Sequence, residues 1–406
     1  MIELEQTKSG LITIKYNGRY IHSKYDPICE SNQFIRGNME LINKPTIVVY
    51  GIGLGYHIDA IARKMNHNSM LYVFEWNKEL IKCCRENNKN IFNNKNIKIF
   101  ENDNKFYTNL SKYLSKAGDI IIHKPSLDTI RSSNEVLYNL INDYSFSKQS
   151  LEINKETVKN EEENYEANKK LKYGSIKCVV NKLKDSNKPY IIVCSGPSLD
   201  GELDRLRENR EKFNIIAVGS SLRALMNKKI KPDVIVIVDG SEAVRKQFIG
   251  YEKEEIPLCF LSRASRWAVN AYKGPKYMFN GNDEDEITLR TGGTVAIPAM
   301  DIAVKCGTKK VILLGQDLAF IREKSHIGDF EEIYGIKDDL KKNYLNKFVE
   351  GVDGKFVNTT EGYIRFKNKI ELLISNYKNV QFINCIKGVY IKGAKHLEFE
   401  ELLKTL

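Results

Sequence analysis

Chemistry in this chain of 406 residues gathers at a few short segments whose residue types suit an anionic ligand. Ser195-Gly196-Pro197-Ser198-Leu199 follows an apolar run and leads into a helix-patterned stretch. Backbone N–H groups and a hydroxyl at a helix N-terminus favour phosphate, because the dipole and the unsatisfied amides act together. Gly196 would let the backbone approach closely, although a tight turn capped by Ser198 satisfies the same pattern. Gly219-Ser220-Ser221 brings small hydroxyl residues to the end of the next apolar run. Thr291-Gly292-Gly293-Thr294 opens a further helical stretch and offers hydroxyl and amide donors to an anion, or simply caps that helix. Asp239 closes a third apolar run, where its carboxylate could accept from a ribose or base, or turn the chain before Gly240. Gly315-Gln316-Asp317 ends a fourth. Of the six histidines (His22, His57, His67, His123, His326 and His396), His326 alone follows one of these ends. A neutral imidazole there suits a general base for a hydroxyl acceptor, and a plain surface residue is the alternative.

The elements that must position these residues read as an α/β series. Residues 189–194, 215–218, 233–238 and 310–314 are apolar runs of strand length, each ending in small or polar residues. In open parallel sheets the carboxyl edge is where ligands bind. A second series precedes it. The run at residues 46–50 ends in Gly51-Ile-Gly-Leu-Gly55, a helical pattern covers residues 56–63, and a strand at residues 70–74 ends at Glu75. That is the layout of an adenosine-ribose binder, with GxGxG in place of GxGxxG; a close-packed turn without ligand explains it equally. Strands at residues 97–100 and 119–123 complete the unit, and the first 40 or so residues read as a β-rich or irregular lead-in. Residues 147–172 are polar and charged and read as a solvated helix or connector. The expected organisation is a Rossmann-like domain at 1–150, a charged helical connector at 151–175, and a main α/β domain with a C-terminal extension at 176–406.

Composition narrows the classes. With 42% hydrophobic and 28% charged residues the chain reads as globular, and no window nears the roughly 18 apolar residues that span a bilayer. The start, MIELEQTKSG, lacks the pattern of an export signal, so a cytoplasmic location is expected and a membrane partner is not. Eight cysteines without a CxxC pair fit buried thiols in a reducing compartment. The net charge of +11 is spread among Asn and Ile without an aromatic-studded basic patch, so a solvated surface is expected and a nucleic-acid partner is not.

In order along the chain, Cys194-Ser-Gly-Pro-Ser-Leu199, Val218-Gly-Ser-Ser221, the run to Asp239, Gly292-Gly-Thr294 with Ala296, Gly307, Leu313-Leu-Gly-Gln-Asp317, Asn384-Cys-Ile-Lys-Gly388 and Ile391-Lys-Gly-Ala394 resemble the motility-associated-factor (Maf) flagellin glycosyltransferases. The Gly51-to-His57 turn resembles that family's leading domain. The resemblance implies a Rossmann-like N-terminal domain followed by a GT-A-like, doubly wound sheet related to bacterial sialyltransferases, with C-terminal helices. It implies transfer of a CMP-activated nonulosonic acid of pseudaminic, legionaminic or sialic type onto Ser or Thr of flagellin. By motif, Gly196, Pro197, Ser198 and Leu199 would hold CMP, Gly219, Ser220 and Asp239 would line it, and Thr291 to Thr294 would face the phosphate or the sugar carboxylate. Gln316 and Asp317 complete the substrate set, His326 falls near the sialyltransferases' catalytic histidine, and Tyr334, Tyr344 and Tyr363 are candidates for stabilising the phosphate. The expected reaction on this reading is an inverting displacement without a cofactor, and since no DxD pair ends a strand, the sequence does not require a metal ion. The central region also resembles archaeal pterin pyrophosphokinases, which would use ATP and Mg²⁺, and a non-catalytic flagellin-binding module is a third reading. Oligomeric state, a homo-oligomer included, is left open.

Overall fold

Continuous apolar runs such as Val48-Val49-Tyr50 and Ile191-Ile192-Val193 have no polar face to offer water, so they become central strands covered on both sides. The computed structural model describes residues 2–153, 155–184, 187–281, 287–338 and 347–406. It divides into two units, Met1–Gln149 and Ser150–Leu406.

The first unit begins with an antiparallel meander of β1 (Ile2–Gln6), β2 (Ile12–Tyr16) and β3 (Arg19–Tyr20). A helix, Pro27–Arg36, follows; the Asp26 side chain caps it by accepting from the amides of Ile28 and Cys29. The lead-in is therefore built structure rather than irregular chain. β4 (Thr46–Tyr50), β5 (Met70–Phe74), β6 (Ile97–Phe100) and β7 (Ile121–Ile122) then form a parallel sheet in the order β6-β5-β4-β7. The order turns back at β4, which leaves a crevice between its carboxyl end and that of β7.

The second unit is a nine-stranded parallel sheet: β8 (Gly174–Ser175), β9 (Tyr190–Val193), β10 (Asn214–Val218), β11 (Val234–Ile237), β12 (Leu258–Leu261), β13 (Lys276–Phe279), β14 (Lys310–Leu314), β17 (Gln381–Cys385) and β18 (Lys395–His396). Between β14 and β17 an antiparallel hairpin intervenes, β15 (Lys347–Glu350) and β16 (Phe356–Thr359). The sheet order is β18-β17-β14-β9-β10-β11-β12-β13-β8, so the chain steps outward from β9 in one direction and returns through β14 to its other side. Side chains alternate between two cores with the strand period of two. Ile192, Ile216, Val236 and Leu313 pack under the helix Ala296–Lys305, while Ile191, Ile215, Ala217 and Leu314 meet Leu199, Leu203 and Phe399 on the other face.

Two expectations change. The charged stretch read as a solvated helix or connector does contain a helix, Lys155–Lys169, but not a fully solvated one, since two of its asparagines are fully buried. Asn164 Nδ2 donates to the Gly240 carbonyl at 2.8 Å, and Asn168 Nδ2 donates to those of Ser262 (3.1 Å) and Ala264 (2.7 Å). Spaced one helical turn apart, they satisfy carbonyls that the strand ends of β11 and β12 leave unpaired. Of the cysteines, Cys84, Cys194, Cys259, Cys306 and Cys385 are buried, but Cys29 and Cys178 are exposed on helix surfaces and Cys83 is half-buried. No described helix is long and apolar enough to cross a membrane.

Candidate functional site

The switch point between β9 and β14 is where a doubly wound sheet opens, and here the two turns close on each other. Gly196 N donates to the Gly315 carbonyl at 2.7 Å, Ser198 N donates to Asp317 Oδ2 at 2.7 Å, and Ser198 Oγ donates to Asp317 Oδ1 at 2.6 Å. Leu199 N turns back to the Gly196 carbonyl, and Pro197 has no N–H to give. The amides expected to cradle a phosphate thus all have partners inside the protein, and Gly196, Pro197, Ser198, Leu199, Gln316 and Asp317 lie outside the cleft lining described below. Gly196 is needed for this closure: a Cβ there would stand 2.5 Å from the Gly315 carbonyl oxygen and 2.6 Å from Asp317 Oδ2. Burial pushes the Asp317 carboxyl above its ordinary value, while the Ser198 donors and Lys387 pull it back.

What the interlocked turns hold is the segment that carries His326. Ile327 N donates to the Ser195 carbonyl at 2.8 Å, and Gly328 N donates to Asp200 Oδ2 at 3.0 Å, fixing the chain on either side of Ile327 to the end of β9. His326 then stands over the ends of β10 and β11, in the wall of a cleft of about 960 Å³. Gly219, Ser220, Asp239 and Thr291 to Thr294 line the same cleft, joined by Glu161, Gln247, Phe330 and Tyr334. Ser220 Oγ is 2.7 Å from Ser195 Oγ, which links the cleft floor to the closed switch point. Asp239 Oδ1 accepts from Ser241 N at 2.7 Å, so the carboxylate both turns the chain and keeps its second oxygen for the cleft. Gly293 has φ of 75°, a left-handed turn that brings Thr294 to the start of the helix Ala296–Lys305. No side chain caps that helix, but Ile297 N donates to the Thr294 carbonyl at 3.3 Å and Pro298 has no N–H, so the donors at the cleft wall are those of the turn itself, Thr291 to Val295.

The His326 ring lies 4.1 Å from Phe330, face to face, and its Nδ1 is 2.7 Å from Ser325 Oγ. Ser325 Oγ in turn donates to Asp338 Oδ1, while Asp338 Oδ2 accepts the amides of Ser325 (2.8 Å) and His326 (2.9 Å). Burial alone would raise the Asp338 carboxyl, but these donors prevail and hold it below its ordinary value, so it is a carboxylate that can only accept. The one hydroxyl hydrogen of Ser325 is therefore committed to Asp338, and the contact with His326 must be Nδ1–H donating to Ser325. That assignment leaves the Nε2 lone pair without a protein hydrogen bond among the described residues. Burial lowers the His326 pKa, partly countered by Asp338, so the ring is neutral near pH 7.

Ser325 and Asp338 were not singled out by sequence reasoning. The only signal is a serine beside the histidine, because nothing in spacing says that residue 338 folds back onto 325. Of the three tyrosines, Tyr334 lines the cleft and its Oη accepts from Gln247 Nε2. Tyr363 sits behind Ser325, where burial pushes it up to about 12, and Tyr344 lies outside the described residues.

The Gly51–Gly55 turn of the first unit is likewise satisfied from within. Glu75 is fully buried; its Oε2 accepts from Ile52 N at 3.0 Å and its Oε1 from Asn77 N at 2.9 Å, and desolvation pushes its carboxyl up to about 7. Of the two readings of this turn, the contacts are those of the close-packed one, with Glu75 tying down the glycine turn.

Taken together, the chain is a doubly wound α/β protein with a donor-lined cleft beside its switch point and an oriented, neutral histidine in the wall. A family model described as 6-hydroxymethylpterin diphosphokinase MptE-like matches residues 159–323, which supply most of that cleft and stop just short of His326. Among solved structures, the chain is similar to a Maf glycosyltransferase from Magnetospirillum magneticum AMB-1, at 14% identity and a TM-score of 0.54, over 98% of this chain and 70% of that one. At that identity the likeness is one of fold, and it carries the α/β architecture expected from the ordered motifs. No curated protein matches the chain.

Proposed function

We propose that the chain is an inverting glycosyltransferase that moves a CMP-activated nonulosonic acid onto Ser or Thr of flagellin. The observation that carries this reading is His326, whose Nε2 lone pair is left free by the Ser325–Asp338 relay in the wall of the same cleft that presents Ser220, Asp239 and the Thr291–Thr294 turn. The fold shared with the Maf glycosyltransferase supports it. In the reaction the acceptor oxygen forms a bond to the anomeric carbon as the bond from that carbon to the CMP phosphate breaks. The acceptor proton passes to His326 Nε2, and the electron pair of the broken bond leaves with CMP. The backbone amides of the Thr291–Val295 turn and the hydroxyls of Thr291 and Thr294 balance the phosphate charge. Asp239 accepts from the ribose, and the Ser195–Leu199 and Gly315–Asp317 turns position the wall without touching the donor. Intact-mass analysis of flagellin incubated with this protein and a CMP-nonulosonate tests the reading: mass gains of one or more sugar residues are expected, and an unchanged mass refutes it.

The match to a pterin diphosphokinase family model favours a second reading, transfer of pyrophosphate from ATP with Mg²⁺. Glu161 and Asp239 are the cleft carboxylates that would serve the ion. Isothermal titration separates the two readings: binding of CMP without metal belongs to the first, and binding of ATP that requires Mg²⁺ to the second.

A further inference from the structure

At the switch point of the first sheet, between the ends of β4 and β7, three histidines meet. His22 follows β3, His57 lies in the first turn of the helix Tyr56–Lys64, and His123 follows β7. All three are buried, and one nitrogen of each lies within 4.8 Å of the other two. Two of the rings are anchored through one nitrogen and keep the other, and His22 is held through both. His57 Nε2–H donates to the Gly51 carbonyl at 2.9 Å, which leaves its Nδ1 lone pair buried without a partner. His123 Nδ1 pairs with Ser126 Oγ at 2.8 Å, leaving Nε2. His22 Nε2 accepts from Leu54 N at 2.8 Å, so its proton is on Nδ1, 3.4 Å from Glu30 Oε2; that oxygen also accepts from Ser23 N at 3.0 Å, which leaves Glu30 Oε1 for the cavity. A cavity of about 180 Å³ is lined by the three rings together with Glu30, Phe34 and Lys124.

Packing alone does not account for this arrangement. A buried lone pair without a donor is unfavourable, and an apolar side chain would fill the space without it. The glycine turn is also shaped to the rings. A Cβ on Gly53 would overlap the His22 imidazole, and one on Gly51 would stand 2.7 Å from the Ser126 Cβ and 2.9 Å from the His123 Cβ. Glycines that in a dinucleotide fold admit a phosphate here admit histidines.

We infer that this cluster binds one divalent transition-metal ion of the zinc, cobalt or nickel type, through His57 Nδ1, His123 Nε2 and the Glu30 carboxylate, with the His22 Nδ1–H orienting Glu30. Imidazole nitrogen with one carboxylate suits these borderline ions and not Mg²⁺ or Ca²⁺, which take oxygen ligands. An anchored far nitrogen is also how metal-binding histidines are held in register. The His57 and His123 rings lie face to face, 4.2 Å apart and 17° from parallel, so one ion cannot lie in both ring planes. Binding therefore turns one ring toward the cavity beside it, which gives up that ring's anchor, while the other ring keeps its own.

The test uses the full chain, stripped with chelator and titrated with Co²⁺ by its visible d–d absorption and with Zn²⁺ by calorimetry. One equivalent is expected to bind the wild type and the His67→Gln variant alike, His67 being an exposed histidine outside the cluster. His57→Gln, His123→Gln and Glu30→Gln are expected to weaken binding by about 10- to 100-fold. Circular dichroism identifies any histidine variant that fails to fold; Glu30, only half-buried, then decides the question. No uptake by the wild type at one equivalent, or undiminished uptake by folded Glu30→Gln and His123→Gln, overturns the inference. These outcomes are independent of the transferase reading.

Discussion

Replacing Asp338 with asparagine keeps the shape of a side chain that is 2% exposed and changes only which of its two terminal atoms can accept. Two backbone amides, of Ser325 and His326, point at Oδ2, so the amide oxygen of the replacement is drawn there and the NH₂ falls against Ser325 Oγ. Ser325 must then accept from residue 338 and turn its own hydrogen to His326 Nδ1. That selects the tautomer with hydrogen on Nε2, which is no base. The loss should approach the whole contribution of general-base catalysis, about 10²- to 10⁴-fold in turnover, or about 2.7 to 5.4 kcal/mol of barrier at 1.36 kcal/mol per tenfold. Wild-type activity should fall on acidification as His326 is protonated, below the ordinary histidine value because burial lowers it. In Asp338→Asn the countering influence of the carboxylate is gone, so the remaining acid limb should move to lower pH. The assay is single-turnover transfer to flagellin against pH, with CMP affinity measured in parallel and expected to be unchanged. Turnover within threefold of wild type, or an acid limb that does not move, would refute the relay.

Further outcomes follow from the same contacts. His326→Ala should lower turnover by about 10²- to 10⁴-fold with CMP binding retained, and full activity would remove it from the mechanism. Gly196→Ala forces a Cβ to 2.5 Å from the Gly315 carbonyl oxygen and should destabilise the chain by about 1–3 kcal/mol, read as a lower urea midpoint. Asn168→Ala leaves the carbonyls of Ser262 and Ala264 without their side-chain donor and should cost about 1–3 kcal/mol in the same assay, which would be near zero if the helix Lys155–Lys169 were only a solvated connector.

The strands that carry the cleft were legible because burial on both faces writes itself as uninterrupted apolar runs, and the residues after each run were legible as small and polar. β8, two residues long, and β18, also two, left no such trace, since edge strands of that length have no periodicity to read. The partial match of the candidate site has one cause. Sequence shows which residues end a strand but not which of two neighbouring turns opens and which closes. Gly196 to Leu199 and Thr291 to Thr294 look alike as donor-bearing turns; Asp317, 119 residues from Ser198, consumes the Ser198 donors of the first, whereas the second lines the cleft.

The sequence by itself determined the α/β class, the two series of strands, the carboxyl edge on which chemistry gathers and the histidine that follows it, because local apolar patterning and turn chemistry are written in consecutive residues. Only the tertiary structure decided that Asp338 folds back to orient His326 and that His22, His57 and His123 meet at one switch point. It also decided that Glu75 serves its own glycine turn. Each of these is a contact between side chains far apart in the chain, fixed by the order in which strands lie side by side, and that order is set by the packing of whole layers rather than by any segment alone.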